Sequence, residues 1–119
     1  MDQLHPDSAY TEKILYSVAT YFDVGDDLIH AQEAYRRIAE KFPRGEYAER
    51  ALWKVAIYDY FQNRYEQALN GFWNYLRNYH SLSSTSAGAY WLGRCYESLG
   101  DFVHAGSLYG HVCNAVVAI

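Results

Sequence analysis

Apolar residues recur along this chain at the three- and four-residue spacing of amphipathic α-helices, and short polar breaks separate the resulting segments. The first segment starts near Asp7 or Ser8, just after Pro6, and continues to about Asp23. Pro43 ends the second segment, because proline cannot continue a helix. The complete pattern predicts six helices of about 13–16 residues, paired in three antiparallel hairpins.

Polar residues at the breaks predict where individual helices start, because short polar side chains cap the first free N–H groups of a helix. Asn63, with Glu66 three residues later, predicts an N-cap and a capping box for the fourth helix. The other expected caps are Asp26 or Asp27 for the second helix, one of Ser83, Ser84 and Ser86 for the fifth, and Asp101 for the sixth.

A second pattern repeats every 37 residues. Alanine or glycine occupies two columns of this repeat, and large apolar or aromatic residues occupy several others. Examples are Ala31, Ala68 and Ala105; Ala19, Ala56 and Gly93; and Tyr35, Phe72 and Tyr109. A fixed period of this length is the signature of a stacked repeat protein, in which no hairpin buries its apolar face alone.

The repeat predicts both the fold class and the domain organisation. We expect an all-α fold, specifically an α-solenoid of three helix-turn-helix repeats with six antiparallel helices. The repeats cover about residues 8–43, 46–80 and 84–119, and together they form a single domain over residues 1–119. Small residues in the alanine and glycine columns let paired helices approach closely.

Composition and charge exclude several classes of partner. The formal net charge is −4, the pI is about 5.6, and no run of Lys and Arg is present, which argues against nucleic acid as a partner. No stretch approaches the roughly 18 apolar residues of a membrane span. The first residues, MDQLHPDSAY, are acidic and polar and lack the features of a secretory signal.

The residues with potential chemistry also favour structural roles. Cys95 and Cys113 lie within predicted helices, and we interpret them as two buried free thiols, although the sequence leaves their mutual distance open. His104 and His111 are about 10 Å apart along one helix, too far to share a metal ion. No catalytic triad, phosphate-binding glycine loop or dinucleotide fingerprint is present. We therefore expect no metal, no cofactor and no enzymatic activity.

The third repeat, AYWLGRCYESLGDFVHAGSLY, resembles the tetratricopeptide repeat (TPR) pattern. The matching residues are Leu92, Gly93, Tyr96, Gly100, Phe102, Ala105 and Tyr109. The second repeat departs from the pattern at Asp59 and Asn63, where the family has Tyr and Gly. The resemblance covers nearly the whole chain and implies a TPR fold, but that fold serves many different partners.

The succession FPRGEYAERALWKVAIY, YEQALNGFWNYLRNY and AGAYWLGRCYESLGD is similar to periplasmic members of this superfamily. These include the helical superhelix of soluble lytic transglycosylases, Tol-Pal coordinator proteins and outer-membrane assembly lipoproteins. The likeness implies a bacterial cell envelope and the periplasm, a location that the residues themselves leave unknown. Two functions stay open: a protein–protein interaction scaffold, or a non-catalytic superhelix segment of a cell-wall lytic transglycosylase.

The resemblance further implies that the first helix of each pair lines a concave groove. Aromatic residues there would supply contact area for an extended or helical peptide, and Arg side chains would pair with its carboxylates. The residues placed in this groove are Tyr16, Arg50, Trp53, Tyr60, Tyr90, Arg94 and Glu97. The alternative is that Tyr16, Trp53 and Tyr90 simply pack against adjacent helices; for Trp73 and Trp91 we favour packing.

The C-terminal residues predict a self-association edge. Cys113, Val116 and Val117 lie in columns that face the next hairpin in the earlier repeats, and the chain carries no charged residue after Asp101. Because solenoids need a terminal cap with a polar outer face, we expect the chain to be a fragment of a longer superhelix. In isolation it should form a homo-oligomer through this edge, most simply a two-fold dimer.

Overall fold

The computed structural model describes residues 7–118, and within them the side chains of residues 9–113. Over this range the protein is all-helical and contains no strand, which confirms the predicted fold class at that level. The helices are α1 Asp7–Val24, α2 Leu28–Lys41, α3 Ala48–Phe61, α4 Tyr65–Asn78, α5 Leu82–Ser98 and α6 Phe102–Ala118. Among these described helices, none is long and apolar enough to cross a membrane.

The helices form two compact units that divide between Tyr58 and Asp59, within α3. The first unit contains α1, α2 and most of α3, and α1 packs against α2. The second unit contains the last turn of α3 together with α4, α5 and α6, and α5 packs against both α4 and α6.

Three interhelix turns share one backbone conformation at 37-residue spacing. Asp26 has a φ of 61°, Asn63 of 65° and Gly100 of 86°. Glycine enters this left-handed region without steric cost, and Asn and Asp are the other residues that tolerate it best. The residue types at these three positions therefore match the turn that the backbone requires.

Two of the predicted helix caps are present as predicted, and they have the same geometry. The Asp27 carboxylate accepts the backbone N–H of His30 at 3.2 Å and lies 2.7 Å from its Nδ1. The Asp101 carboxylate makes the same two contacts with His104, at the same distances. The backbone N–H of the histidine, and then its side chain, lower the pKa of each aspartate.

Two other predicted caps are wrong. Asn63 is not the N-cap of α4, because it occupies the left-handed turn one residue earlier, and its Oδ1 accepts the Tyr65 hydroxyl at 2.8 Å. Arg64 takes the N-cap position without a capping side-chain bond and instead donates from Nε to Asp59 at 3.0 Å. For α5 the cap is Ser81, whose Oγ accepts the N–H of Ser84 at 3.1 Å, so this helix starts earlier than predicted.

A partly buried polar network joins the three helices of the first unit. The Asp23 carboxylate at the end of α1 accepts hydrogen bonds from Tyr35 of α2 at 3.1 Å and from Lys54 of α3 at 2.9 Å. The hydroxyl of Tyr58, also in α3, donates to the same carboxylate. Since each donor comes from a different point on α2 or α3, one carboxylate fixes the position of all three helices.

Glu12 fixes the other end of α1. Its carboxylate is buried and accepts the backbone N–H of Tyr47, just before α3, at 2.9 Å. Gly45 lies so close to this carboxylate that any side chain there would overlap it. The Glu12 carboxylate thus holds the connection between α2 and α3 against α1, and the lack of a side chain at Gly45 leaves room for it.

Close helix contacts organise the core of the second unit. Phe72, Leu92 and Cys95 are fully buried. A Cβ added at Gly88 would lie 2.5 Å from Cδ2 of Leu76 in α4, and one at Gly93 would lie 2.5 Å from Cε1 of Tyr109 in α6. Both glycines are needed for α5 to approach its two neighbours.

The two cysteines have different environments, so the expectation of two buried thiols is wrong for one of them. Cys95 is fully buried in α5, and burial raises the pKa of its thiol to about 12. Cys113 is exposed, because α6 packs on α5 through other residues, among them Tyr109. Both thiols are free.

The close contact at Gly93 makes the first testable prediction. Replacing a helical glycine by alanine normally stabilises a protein by up to about 1 kcal/mol. Gly93→Ala should instead lower the free energy of unfolding by about 1–3 kcal/mol, because the new methyl group overlaps the Tyr109 ring. Gly110→Ala is the matched control, since a Cβ there meets open space, and it should raise stability. Thermal denaturation followed by circular dichroism distinguishes them; equal stabilisation by both would contradict the constraint.

The Asp23 network makes a prediction about pH. Burial alone would raise the pKa of the Asp23 carboxyl, but the hydrogen bonds from Tyr58 and Lys54 and the charge of Lys54 outweigh burial and lower it below 3.8. A carboxyl group with a lowered folded-state pKa stabilises the fold above its unfolded pKa, and this contribution is lost as the pH falls through the folded pKa. Stability should therefore decline in acid, beginning near pH 4.

Asp23→Asn tests this assignment by urea denaturation at pH 7 and at several pH values between about 5 and 3. At pH 7 the substitution should lower the free energy of unfolding by about 1–3 kcal/mol, because charge-assisted hydrogen bonds are lost. It should also flatten the decline in acid. Asp26→Asn is the control: it removes an exposed neighbouring carboxylate at a left-handed position that asparagine tolerates. Unchanged stability of Asp23→Asn at pH 7 would show that the network contributes nothing.

Candidate functional site

A cleft in the second unit contains four of the residues predicted for the groove. It has a volume of about 640 Å³ and is lined by Tyr60, Tyr90, Arg94, Glu97, Ser98 and Tyr109. Tyr60 comes from the end of α3, Tyr109 comes from α6, and the remaining four come from α5. Tyr90, Arg94 and Glu97 are spaced by four and three residues, so they share one face of α5.

Aromatic rings surround the guanidinium group of Arg94. Its central carbon lies 5.8 Å from the ring centres of both Tyr60 and Tyr90, and 5.5 Å from that of Trp91. Its Nη1 donates to the Tyr90 hydroxyl at 2.9 Å. This hydrogen bond is the main cause that raises the pKa of Arg94. The rings hold the planar cation in one orientation while its charge faces the cleft.

A carboxylate lies beside Arg94 on the same face of α5. The Tyr109 hydroxyl donates to Oε1 of Glu97 at 2.9 Å, and Nε of Arg94 lies 4.0 Å from the same oxygen. Burial, and then the bond to Glu97, raise the pKa of Tyr109 to about 12. At neutral pH the cleft therefore presents a positive and a negative group side by side, with tyrosine rings on both sides.

Trp91 supports the cleft from behind, as the packing interpretation predicted. Its indole stacks on Phe72 of α4 at 6.3 Å and meets Tyr60, Phe61 and Tyr90 edge-on at 5.2–6.3 Å. Trp73 is partly exposed, and its Nε1 donates to the Tyr96 hydroxyl at 3.3 Å. Because Trp91 contacts both Tyr60 and Tyr90, it fixes the distance between the two rings that flank Arg94.

The other three predicted groove residues belong to the first unit and do not line this cleft. Tyr16 is half-buried and stacks on Tyr47, with ring centres 4.1 Å apart. This contact matches the packing alternative for Tyr16. Arg50 is exposed and Trp53 is half-buried on α3.

Two lining residues, Ser98 and Tyr109, were missed by the sequence analysis as parts of the site. Tyr109 was grouped with Tyr35 and Phe72, which are both buried, and its column therefore indicated a core residue. Ser98 lies at the end of α5, where its Oγ is 3.4 Å from the Tyr60 hydroxyl. Its position next to Glu97 was the only sequence signal available for it.

Of the predicted self-association edge, only Cys113 lies among the described side chains, and it is exposed. Val116 and Val117 are within α6, but their side chains lie outside the described residues. Within the described part of the chain, no group of three or more His, Cys, Asp or Glu side chains is arranged to hold a metal ion.

Comparison with known proteins does not assign the chain to a family. No protein-family model matches it, and no curated protein is significantly similar to it. The TPR resemblance consequently stays a prediction from the residues.

Proposed function

We propose that this chain is a protein-interaction scaffold, a TPR-like α-solenoid that binds a peptide or protein segment in the cleft of its second unit. The observation that carries the proposal is the convergence of Tyr60, Tyr90, Arg94 and Glu97 on one cleft. These residues are the ones that the TPR resemblance and the repeat register together predict for the groove. Support for the repeat architecture comes from the left-handed turns at 37-residue spacing and from the burial of the alanine columns.

The chemistry of the cleft favours a segment that combines an aromatic or aliphatic side chain with an acidic one. Tyrosine rings provide rigid contact area at little entropic cost, and arginine pairs geometrically with carboxylates. The rings around Arg94 reduce the rotamer freedom that a flexible arginine would lose on binding. Glu97, held by Tyr109, disfavours ligands that are acidic at two adjacent positions and adds specificity through repulsion.

Binding to an array of defined peptides tests this function. The array should vary the position of one Asp or Glu relative to one Phe, Leu or Tyr, with sequence-scrambled and Lys-substituted versions of each peptide. For the peptides that bind best, Tyr90→Ala and Arg94→Gln should each raise Kd by at least about tenfold, equivalent to about 1.4 kcal/mol. Arg94→Lys should weaken binding as well, because lysine keeps the charge but loses the planar stacking.

Arg77→Gln is the matched control, since Arg77 is an exposed arginine of α4 that does not line the cleft. It should leave Kd unchanged, and circular dichroism should show that all variants are folded. Trp53→Ala tests the earlier groove assignment in the first unit: loss of binding with a melting temperature within a few degrees of the wild type would support it. Equal binding by the wild type, Tyr90→Ala and Arg94→Gln would contradict the cleft as the site.

A further inference from the structure

A stripe of apolar side chains lies exposed along α1. Tyr10, Ile14, Val18 and Tyr21 are spaced by four, four and three residues and are exposed by 69%, 47%, 40% and 76%. Together with Lys13, Ser17 and Phe22 they line a shallow groove of about 600 Å³. A continuous apolar stripe of this kind on a helix is typical of a surface that another helix covers.

The residues at equivalent positions of α3 and α5 are mostly buried. A step of 37 residues along the chain leads from the α1 stripe to Tyr47, Ala51, Val55 and Tyr58, and a second step leads to Ser84, Gly88, Leu92 and Cys95. All four α5 residues are buried. Ala51 and Tyr58 of α3 are buried, whereas Val55 of α3 and Tyr47, just before α3, are half-buried. The α1 stripe is therefore the one copy of this face that lacks a cover among the described residues.

The preceding helix supplies the cover in both cases where one exists. In the first unit, Nε2 of Gln32 in α2 donates to the carbonyl of Val55 at 2.9 Å, and the Tyr35 ring lies 6.2 Å from that of Tyr58. In the second unit, the Tyr75 hydroxyl of α4 lies 3.3 Å from Oγ of Ser84, and Leu76 packs on Gly88. The α1 stripe thus matches the surface of a helix of the α2 and α4 type.

The chain contains a third helix of this type, α6, which follows α4 by 37 residues. In the 37-residue register, Gly106 of α6 corresponds to Gln32 of α2. Val112 and Cys113 of α6 correspond to Tyr75 and Leu76 of α4. Gly106 and Cys113 are exposed, Val112 is half-buried, and the sequence of α6 contains no Asp, Glu, Lys or Arg. An uncharged helix face is suited to an apolar stripe and would not leave an unpaired charge in the contact.

We propose that α6 of one molecule covers the α1 stripe of a second copy, so that the chain self-associates head to tail. The contact continues the pairing that α2 makes with α3 and that α4 makes with α5. It is heterologous, because it joins two different surfaces, and each molecule keeps one free surface for the next copy. Such a contact adds copies until a ring closes or continues as a filament, so the assembly grows beyond a dimer as the protein concentration rises.

The register specifies two contacts across this interface. Leu76 packs on Gly88 within one molecule. Cys113 is the register equivalent of Leu76, and Ile14 is that of Gly88, so Cys113 of one copy should face Ile14 of the next. The Tyr58 hydroxyl donates to Asp23 within one molecule. Tyr21 is the register equivalent of Tyr58, and Glu97 is that of Asp23, so Tyr21 of the next copy should reach Glu97. The second contact lies at one end of the peptide cleft. The inference shares the repeat register with the proposed function but does not rest on peptide binding.

Light scattering and analytical ultracentrifugation of two complementary variants test the proposal, in the absence of peptide. The first variant, Ile14→Lys with Tyr21→Lys, blocks α1; the second, Gly106→Lys with Cys113→Lys, blocks α6. The wild type should increase in mass beyond a dimer with concentration, and each variant alone should associate at least tenfold more weakly. An equimolar mixture should form a dimer and nothing larger, since one intact contact is available. Ile29→Lys with Val103→Lys, at exposed positions outside the stripe, should behave as the wild type.

Three outcomes would overturn the head-to-tail contact. A wild type that is monomeric at about 1 mM would exclude a second copy as the cover of α1. Dimers of the α1-blocked variant alone would indicate a two-fold contact through α6, and dimers of the α6-blocked variant alone would indicate a contact between two α1 helices. None of the four blocking substitutions changes a residue that lines the peptide cleft. Peptide binding measured on the α6-blocked variant therefore tests the proposed function independently of self-association.

A cross-linking experiment tests the predicted register. Ile14→Cys introduces a thiol opposite Cys113 of the next copy, and copper-phenanthroline as oxidant removes two electrons and two protons from the pair to form a disulfide. The variant should give a ladder of covalent oligomers on non-reducing gels, whereas Ile29→Cys should not. Efficient cross-linking of the wild type through Cys113 alone would favour the two-fold dimer instead. A ladder that persists in Ile14→Cys with Cys113→Ser would contradict the register.

Discussion

The close approach of α5 to its neighbours is the constraint on which the candidate site depends. Gly93 has no Cβ, and the Tyr109 ring occupies the space that a side chain would need. This contact brings α6 near enough for the Tyr109 hydroxyl to reach Glu97, and the pair forms one wall of the cleft. A single missing methyl group therefore determines both the packing of the last two helices and the orientation of a charged group at the site.

The same register produces two different sites from one interaction. Tyr35 and Asp23 in the first unit correspond to Tyr109 and Glu97 in the second, and in both cases a tyrosine hydroxyl donates to a carboxylate one helix away. In the first unit Lys54 and Tyr58 close over the carboxylate, whose side chain is 24% exposed; that of Glu97 is 49% exposed. The tyrosine–carboxylate bond thus recurs in the first and the last helix pair. The Glu97 carboxylate, by contrast, is about half exposed at the wall of the cleft.

The sequence predicted the helices well because their limits depend on local chemistry. Proline, glycine and left-handed asparagine or aspartate act within a few residues, so the end of α2 at Lys41 agrees closely with the stop predicted at Pro43. The cap at Asn63 failed because one residue was suited to two adjacent roles, and only the backbone shows that the turn takes precedence over the cap. In the site, Tyr90, Arg94 and Glu97 followed from the TPR resemblance and the 37-residue columns, and their spacing of four and three residues places them on one face of α5. The orientation of Tyr109 depends on Gly93 in another helix and could not be read from its own column.

The type of residue at a repeat position indicates whether that position is suited to a buried or an exposed environment. Whether the side chain is in fact buried depends on which helix lies next to it. Tyr21 and Tyr58 occupy the same column, yet Tyr21 is exposed while Tyr58 is buried beside Tyr35 of α2. Ile14 and Ala51 differ in the same way, and so do Val18 and Leu92. An exposed helix face that had no partner would be expected to carry polar residues at these positions, as the outer faces of solenoid caps do. The α1 stripe instead carries aromatic and branched residues, as its buried equivalents Tyr58 and Leu92 do, and this composition is the physical reason to look for the helix that covers it.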